Sequence, residues 1–500
     1  MLKLTRQRQW ALRLLTLGLV ILTLLLAACS NPFHQIKDPH KHPTPANNDW
    51  LMFGNSPARS GVALNDPRLT PATVGRMTKL WQVQLPAVAD STPILLHALR
   101  FPNDATYDAL YVTTRDGHIL ALNASNGSTL WQHQPSNHKI TNSSAAADAN
   151  RQYVYAYGLD GYLHKYASTT GVEVKAGGWP VRITRMIDTE KEGSAINIAN
   201  GRIYVTTGGY IGDAPPYQGH VVTIDEATGA ATIFNSLCSN KSGLLGNGDC
   251  SSSDSGIWSR GGAVIDPVTG NIFVATGNGP YNGATDWGDS VLELSPDGAQ
   301  LLDTYTPSTQ QALNLTDTDL GSNAPALLPK IANSVTPYLL VEGGKDGMLR
   351  LLNRQNLSGR GGPGHTDGEV QLINAAGCGL YSQPAVWTDP QTQIVWVYTA
   401  GACGLAAYQV KTDSSSKTTL QLAWKIGDST TSPVVTNGML FVAQDGSVKA
   451  LDAHTGKRLW SSTQSSAGGS IGDIHWESPI VVGNTLYISD EDGTLSAYGV

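Results

Sequence analysis

Side chains able to do chemistry gather in three segments of this 500-residue chain. Thr206–Gly219, TTGGYIGDAPPYQG, holds Asp213 as its single carboxylate. Gly256–Tyr281 carries Trp258 and, between Gly277 and Gly279, Asn278. Tyr305–Pro325 contains Asp317 and Asp319, and Lys345 stands just ahead of Asp346–Gly347. A carboxylate can take a proton during a reaction, and amide and carboxylate oxygens suit a hard cation such as calcium. Each residue also has a plainer use. Asn278 fits a turn, Trp258 fits packing between structural units, Lys345 fits a charge on a hairpin, and Asp317 and Asp319 fit caps for backbone donors. The chain has no GxSxG elbow, no HExxH and no Gly-rich phosphate loop. His118, His133, His138, His164, His220, His365, His454 and His475 share no spacing and read as ordinary loop or strand residues.

These segments sit within a repeat. Ser432–Trp460, SPVVTNGMLFVAQDGSVKALDAHTGKRLW, reads as short strands over Val434–Val435, Met439–Ala443, Val448–Asp452 and Leu459–Trp460. Asn437–Gly438 and Asp445–Gly446 separate them as two-residue hairpin signals, for which a type I′ turn needs positive φ at both positions. The phrase recurs from Asp116, Asp160, Asp346, Asp445 and Asp492, with weaker copies at Gln218, Gly288 and Ala402. Eight units spaced by 43 to 70 residues, each of four short strands, predict an all-β, eight-bladed propeller. The last unit stops after its third strand at Val500. Thr78–Leu85, TKLWQVQL, resembles the Trp-bearing fourth strand of other units (Leu130–Trp131, Ala423–Trp424, Leu459–Trp460) and is expected to close the ring.

From Asp49, through Trp50-Leu-Met-Phe-Gly-Asn-Ser-Pro-Ala-Arg-Ser-Gly61, to Val500, the repeats resemble the pyrroloquinoline-quinone (PQQ)-type repeats of quinoprotein alcohol dehydrogenases and of outer-membrane assembly-factor propellers. The resemblance implies the propeller fold, while the repeat alone specifies only blade packing. In the dehydrogenases calcium and the quinone lie on the ring axis above a tryptophan floor. The match of Asp266-Pro267 and Thr276-Gly277-Asn278 to the family pattern implies Asn278 as a calcium ligand, Trp258 as the floor and Lys345 as the basic residue at the quinone. It further implies Asp317 or Asp319 as catalytic base, with Asp213 the one carboxylate available as an acidic calcium ligand in its segment. The chain departs from the enzymes in lacking a Glu in TTGGYIGDAPPYQG, adjacent cysteines and a heme-attachment CxxCH.

The amino terminus reads as an address. Lys3, Arg6, Arg8 and Arg13 precede an apolar run, Leu14–Leu26, and Leu26-Ala-Ala-Cys29 resembles the lipobox of bacterial lipoproteins. A signal peptide over 1–28, lipidation of Cys29, a Pro- and His-rich tether over 29–48 and a propeller over 49–500 follow as expectations. His34, His40 and His42 in the tether could hold a metal but read as part of a solvated spacer. Outside the cytoplasm the four remaining cysteines are expected to pair; proximity favours Cys238–Cys250 and Cys378–Cys403 among three possible pairings. No zinc-type spacing is present.

Removing the leader takes away four positive charges and moves the formal net charge from −7 to −11, which argues against a nucleic-acid partner. The leading expectation is a membrane-anchored binding or scaffolding lipoprotein of the cell envelope. It would be a monomer, non-catalytic, and recognise a protein, peptide or saccharide at one mouth of the ring. The competing expectation is a PQQ- and calcium-dependent dehydrogenase acting on an alcohol or sugar.

Overall fold

The computed structural model describes residues 48–500 apart from 135–138, 211–212 and 376–377. Cys29, the leader and the tether histidines lie outside these residues. Among the described residues no helix is long and apolar enough to cross a membrane.

Eight antiparallel sheets follow one another in a ring. Blades 1 to 7 occupy Ile94–His133, Ala146–Arg182, Glu190–Asn235, Val264–Tyr305, Ala326–Asn374, Ala385–Ile426 and Val434–Ser461. In blade 3 the first strand is split, with Glu190–Glu192 and Asn197–Ala199 both pairing with Arg202–Gly209. Blade 8 takes three strands from Ile480–Gly499, and its outer strand is Thr78–Gln84, antiparallel to Thr494–Gly499. The ring is therefore closed by the amino-terminal strand, as expected, and no sheet is left with a missing edge.

Burial explains why the blades read as they do in sequence. In blade 7 the strands Val434–Thr436 and Met439–Gln444 are buried along almost their whole length, because both faces meet a neighbouring blade. The outermost strands see solvent, and Thr78–Gln84 alternates between exposed and half-buried positions. Apolar runs thus mark inner strands and alternation marks outer ones. At the hairpins, Asn437 and Gly438 both have positive φ, 50° and 71°, as a type I′ turn demands. Asp445–Gly446 differs from that expectation: only Gly446 lies in the left-handed region, at 73°.

The outer-strand tryptophans join blade to blade. Trp81 donates its indole N–H to Ala124 O at 3.0 Å, Trp131 to Ser168 O at 2.8 Å, and Trp424 to Ala453 O at 3.1 Å. Each ring covers a turn glycine of the next blade, Gly127, Gly171 or Gly456, where a Cβ would come within 2.5–2.8 Å of a preceding-blade side chain. These glycines also have φ between 69° and 74°, so the turn needs glycine for both conformation and clearance. Cys238–Cys250 and Cys378–Cys403 are both disulfides. Cys378 precedes the first strand of blade 6, so the second bridge ties a lead-in loop to the turn between Val395–Gly401 and Gly404–Thr412.

One end of the ring is plugged. Residues 50–63 cross its axial side, exchanging backbone bonds with Leu95 of blade 1, accepting from Ala147 of blade 2 and Ile265 of blade 4, and meeting Val386 and Val435 of blades 6 and 7. Arg59 lies fully buried in this plug and donates to the carbonyls of Phe53, Ala195 and Gly261 at 2.8–3.0 Å. Burial pushes its guanidinium down to about 9, with Glu192 opposing.

Candidate functional site

Short segments leading into the blades converge at the opposite mouth. Trp258, ahead of blade 4, meets Trp476, ahead of blade 8, edge to face with ring centres 5.9 Å apart. Arg260 reaches Asp90, ahead of blade 1, at 3.1 Å, and Asn142 O, ahead of blade 2, at 2.7 Å. Contacts between such distant blades place these side chains at the ring axis.

Five of the residues singled out above are brought together here. Lys345, in the turn between Leu339–Gly343 and Met348–Asn353, places Nζ 2.8 Å from Asp319 Oδ2 and 5.4 Å from the centre of the Trp258 ring. The backbone N–H of Asn278 donates to Asp319 Oδ1 at 2.8 Å. Lys345 N–H donates to Asp319 O, also at 2.8 Å. Asp319 thus makes no cap of its own following turn, Leu320–Ser322; its carboxylate is spent on Asn278 and Lys345. Asp317 follows the short helix Gln310–Leu315 and approaches Lys345 Nζ at 3.3 Å from the exposed side. Asp213 sits at the edge of this group, beside Tyr217 and near enough for its carboxyl to feel Asp319, Asp317 and Lys345, but among the described residues it forms no close trio of ligand atoms with Asp317 and Asp319.

Negative charge is in excess around the Lys345 ammonium. Burial raises the Asp213 carboxyl, and repulsion by Asp319 and Asp317 raises it further, against the pull of Lys345. Asp254 is raised by burial and by Asp319. Asp289 reaches about 8, chiefly through burial, with Asp319 adding and the Leu320 N–H opposing. Burial alone would lower Lys345, but Asp319 and then Asp317 hold it above its ordinary value. Asp317, Asp319 and the Asn278 amide are oxygen donors of the kind a hard cation takes once Lys345 gives up its place on the two carboxylates, and Lys345 released from them can face an anion beside the Trp258 ring.

A second part of the mouth escaped sequence reasoning. His475 Nδ1 lies 3.1 Å from Asp90 Oδ2, and Glu477 Oε2 accepts from the N–H groups of His475 and Trp476. Burial, with Asp90 and Glu491 adding, pushes Glu477 up to about 9. His475 is therefore no ordinary loop residue. The available signal was the recurring Ser-Pro or Thr-Pro before the first strand, in Thr92–Pro93, Ser432–Pro433 and Ser478–Pro479. Asp90, His475 and Glu491 place ligand atoms within 4.8 Å of one another. Arg260 at 3.1 Å from Asp90 and Arg115 at 3.8 Å from Glu491 already supply the countercharge there, so no metal is assigned. Beside this cluster, between blades 6, 7 and 8, lies a cavity of about 340 Å³.

A family profile described as outer membrane protein assembly factor BamB matches residues 78–177 and 391–500. No curated protein matches the chain by sequence. Among solved structures, europium-containing methanol dehydrogenase superposes with a TM-score of 0.65 at 16% identity, covering 93% of this chain and 100% of that one. Quinohemoprotein alcohol dehydrogenase ADHIIG from Pseudomonas putida HK5 gives 0.64 at 14%, covering 91% and 80%. BamB from Moraxella catarrhalis gives 0.52 at 12%, covering 85% and 100%. At these identities the likeness is one of fold.

Proposed function

The chain matches the PQQ-like β-propeller repeat family, and from that premise we propose that its open mouth is a quinone-cofactor site and that the protein is a dehydrogenase for an alcohol or sugar. The observation that carries this is the meeting of Trp258, Asn278, Asp319 and Lys345, drawn from segments spread between residues 258 and 345, in one set of contacts. The residues fit such a cofactor chemically. Lys345 and the Trp258 face suit a planar, carboxylated quinone, and Asp317, Asp319 and Asn278 suit calcium beside it. When bound, the quinone would supply the two-electron acceptor. Asp319 would take the hydroxyl proton of the substrate, and Trp258 would keep water from one face.

A scaffolding reading, binding a protein, peptide or saccharide at the mouth, is favoured by Thr206–Gly219, which offers Asp213 and no Glu as an acidic ligand, and by the match to the assembly-factor profile. Both readings include anchorage outside the cytoplasm through Cys29, and a Cys29→Ser variant that still partitions with membranes would remove that part.

Calorimetric titration with PQQ, in calcium and after chelation, separates the two. The quinone reading requires calcium-dependent heat that disappears in Asn278→Ala and Lys345→Ala. Absence of heat and of thermal stabilisation under both conditions leaves the scaffold.

A further inference from the structure

We propose that Lys345 is a tethered occupant of the cation position at the mouth: its ammonium fills the place between Asp317 and Asp319 that a divalent ion would take, so calcium enters only after Lys345 is drawn away. The proposal rests on the quinone reading for the anion that draws it, and on the geometry of this chain for the rest.

The three N–H groups of an ammonium can meet three acceptors. Around Lys345 Nζ stand Asp319 Oδ2 at 2.8 Å, Asp317 Oδ1 at 3.3 Å and Asp317 O at 3.3 Å. Two carboxylates and a backbone carbonyl are the donor types that calcium takes. The frame that holds these oxygens does not depend on the ammonium. Asp319 Oδ1 accepts from the Asn278 N–H at 2.8 Å, and Asp319 O from the backbone N–H of Lys345 at 2.8 Å. Thr318 N–H, between the two aspartates, donates to Leu313 O at 3.0 Å. Only the Lys345 side chain has to leave for the oxygens to face another cation.

Ammonium and metal ion exclude each other here, because both must touch the same oxygens and like charges repel. The surrounding charge suits a doubly charged ion better. One ammonium faces two carboxylates, and Asp213, Asp254 and Asp289 also feel Asp319. Lys345 holds the position nonetheless, since a tethered group acts at a high effective concentration. Calcium affinity is then scaled down by the fraction of molecules in which Lys345 is off the carboxylates. The side chain also has somewhere to go. It is partly exposed, and its ammonium already lies 5.4 Å from the centre of the Trp258 ring, so an anion seated beside that ring offers it a new partner. Anion and calcium are thereby linked through one side chain, and such linkage is reciprocal.

The test is calcium titration of the intact, chelator-stripped protein by calorimetry, without quinone, with melting temperature as a second readout. The parent should bind weakly. Lys345→Met should bind at least roughly tenfold more tightly, and calcium should raise its melting temperature by more than it raises the parent's. Lys345→Gln, whose amide can still donate to Asp319, should gain likewise and covers the case in which the methionine variant folds poorly. Lys345→Arg keeps a cation and should stay weak. Adding Asp317→Asn to Lys345→Gln should remove the gain, which places it at these oxygens. Equal calcium affinity in the parent and the two neutral variants overturns the proposal, as does a gain that survives Asp317→Asn. The quinone is tested apart: PQQ should raise the calcium affinity of the parent. A rise with PQQ but no gain in the neutral variants keeps the quinone reading and overturns this proposal. A gain in the neutral variants with no effect of PQQ supports the tethered occupant and removes the quinone.

Discussion

Lys345 and Asp319 form an ion pair at 2.8 Å in which the carboxylate is almost wholly buried and the ammonium is only partly open to solvent. The pair joins a turn of blade 5 to the link between blades 4 and 5, so it is structural as well as a candidate for chemistry. Its two duties make separate predictions.

Lys345→Met removes one partner and leaves the other buried without countercharge. Stability should fall by about 3 kcal/mol. Urea unfolding of the two proteins at neutral pH measures this, and an unchanged midpoint would show that water compensates Asp319.

Asp289 gives a pH signature. Burial and the Asp319 charge raise its folded value from 3.8 to about 8. The proton is held more tightly in the folded chain, so the stabilising contribution is complete below about pH 4 and is lost as pH climbs to about 8. Asp289→Asn should flatten this decline and be the more stable protein at pH 8, by roughly 2 kcal/mol. Parallel melting curves of the two proteins falsify the assignment.

Closure of the ring can be tested at Val83, which sits opposite Leu495 in the blade 8 pairing. Proline there deletes an amide donor and strains the strand, with an expected loss of about 3 kcal/mol. Limited proteolysis should show early cuts near the seam. Wild-type resistance in Val83→Pro would mean that the strand contributes little to closure.

The repeat was legible because its parts obey local rules. Asn437–Gly438 needs positive φ, Trp131 and Trp424 recur at one position of the blade, and Met439–Gln444 is apolar because both faces are covered. Closure by Thr78–Gln84 followed from counting strands. The mouth was legible only in part. Trp258, Asn278, Asp319 and Lys345 stood out through a family pattern, and the structure joins them. Asp90, Arg260, His475 and Trp476 did not stand out, since each is unremarkable in its own segment and gains a role only when blades far apart in sequence meet at the axis. Arg59 is a similar case, its partners Ala195 and Gly261 lying 136 and 202 residues away.

The Cys238–Cys250 bridge closes a short loop after blade 3. Loop-closure entropy for this span predicts a loss of about 3 kcal/mol in Cys238→Ser. Guanidinium unfolding of parent and variant, each with and without reductant, should show reductant acting more strongly on the parent.

The segment that crosses the ring at residues 50–63 makes the propeller a cup and not a pipe. Everything that reaches Lys345, or the cavity beside Trp476, enters over one rim and leaves over the same rim. Under the quinone reading, a reductant and the acceptor that later collects its electrons must take turns at a shared doorway. Excess acceptor should then slow turnover by crowding out the first reactant, a traffic pattern that steady-state kinetics with both varied would reveal.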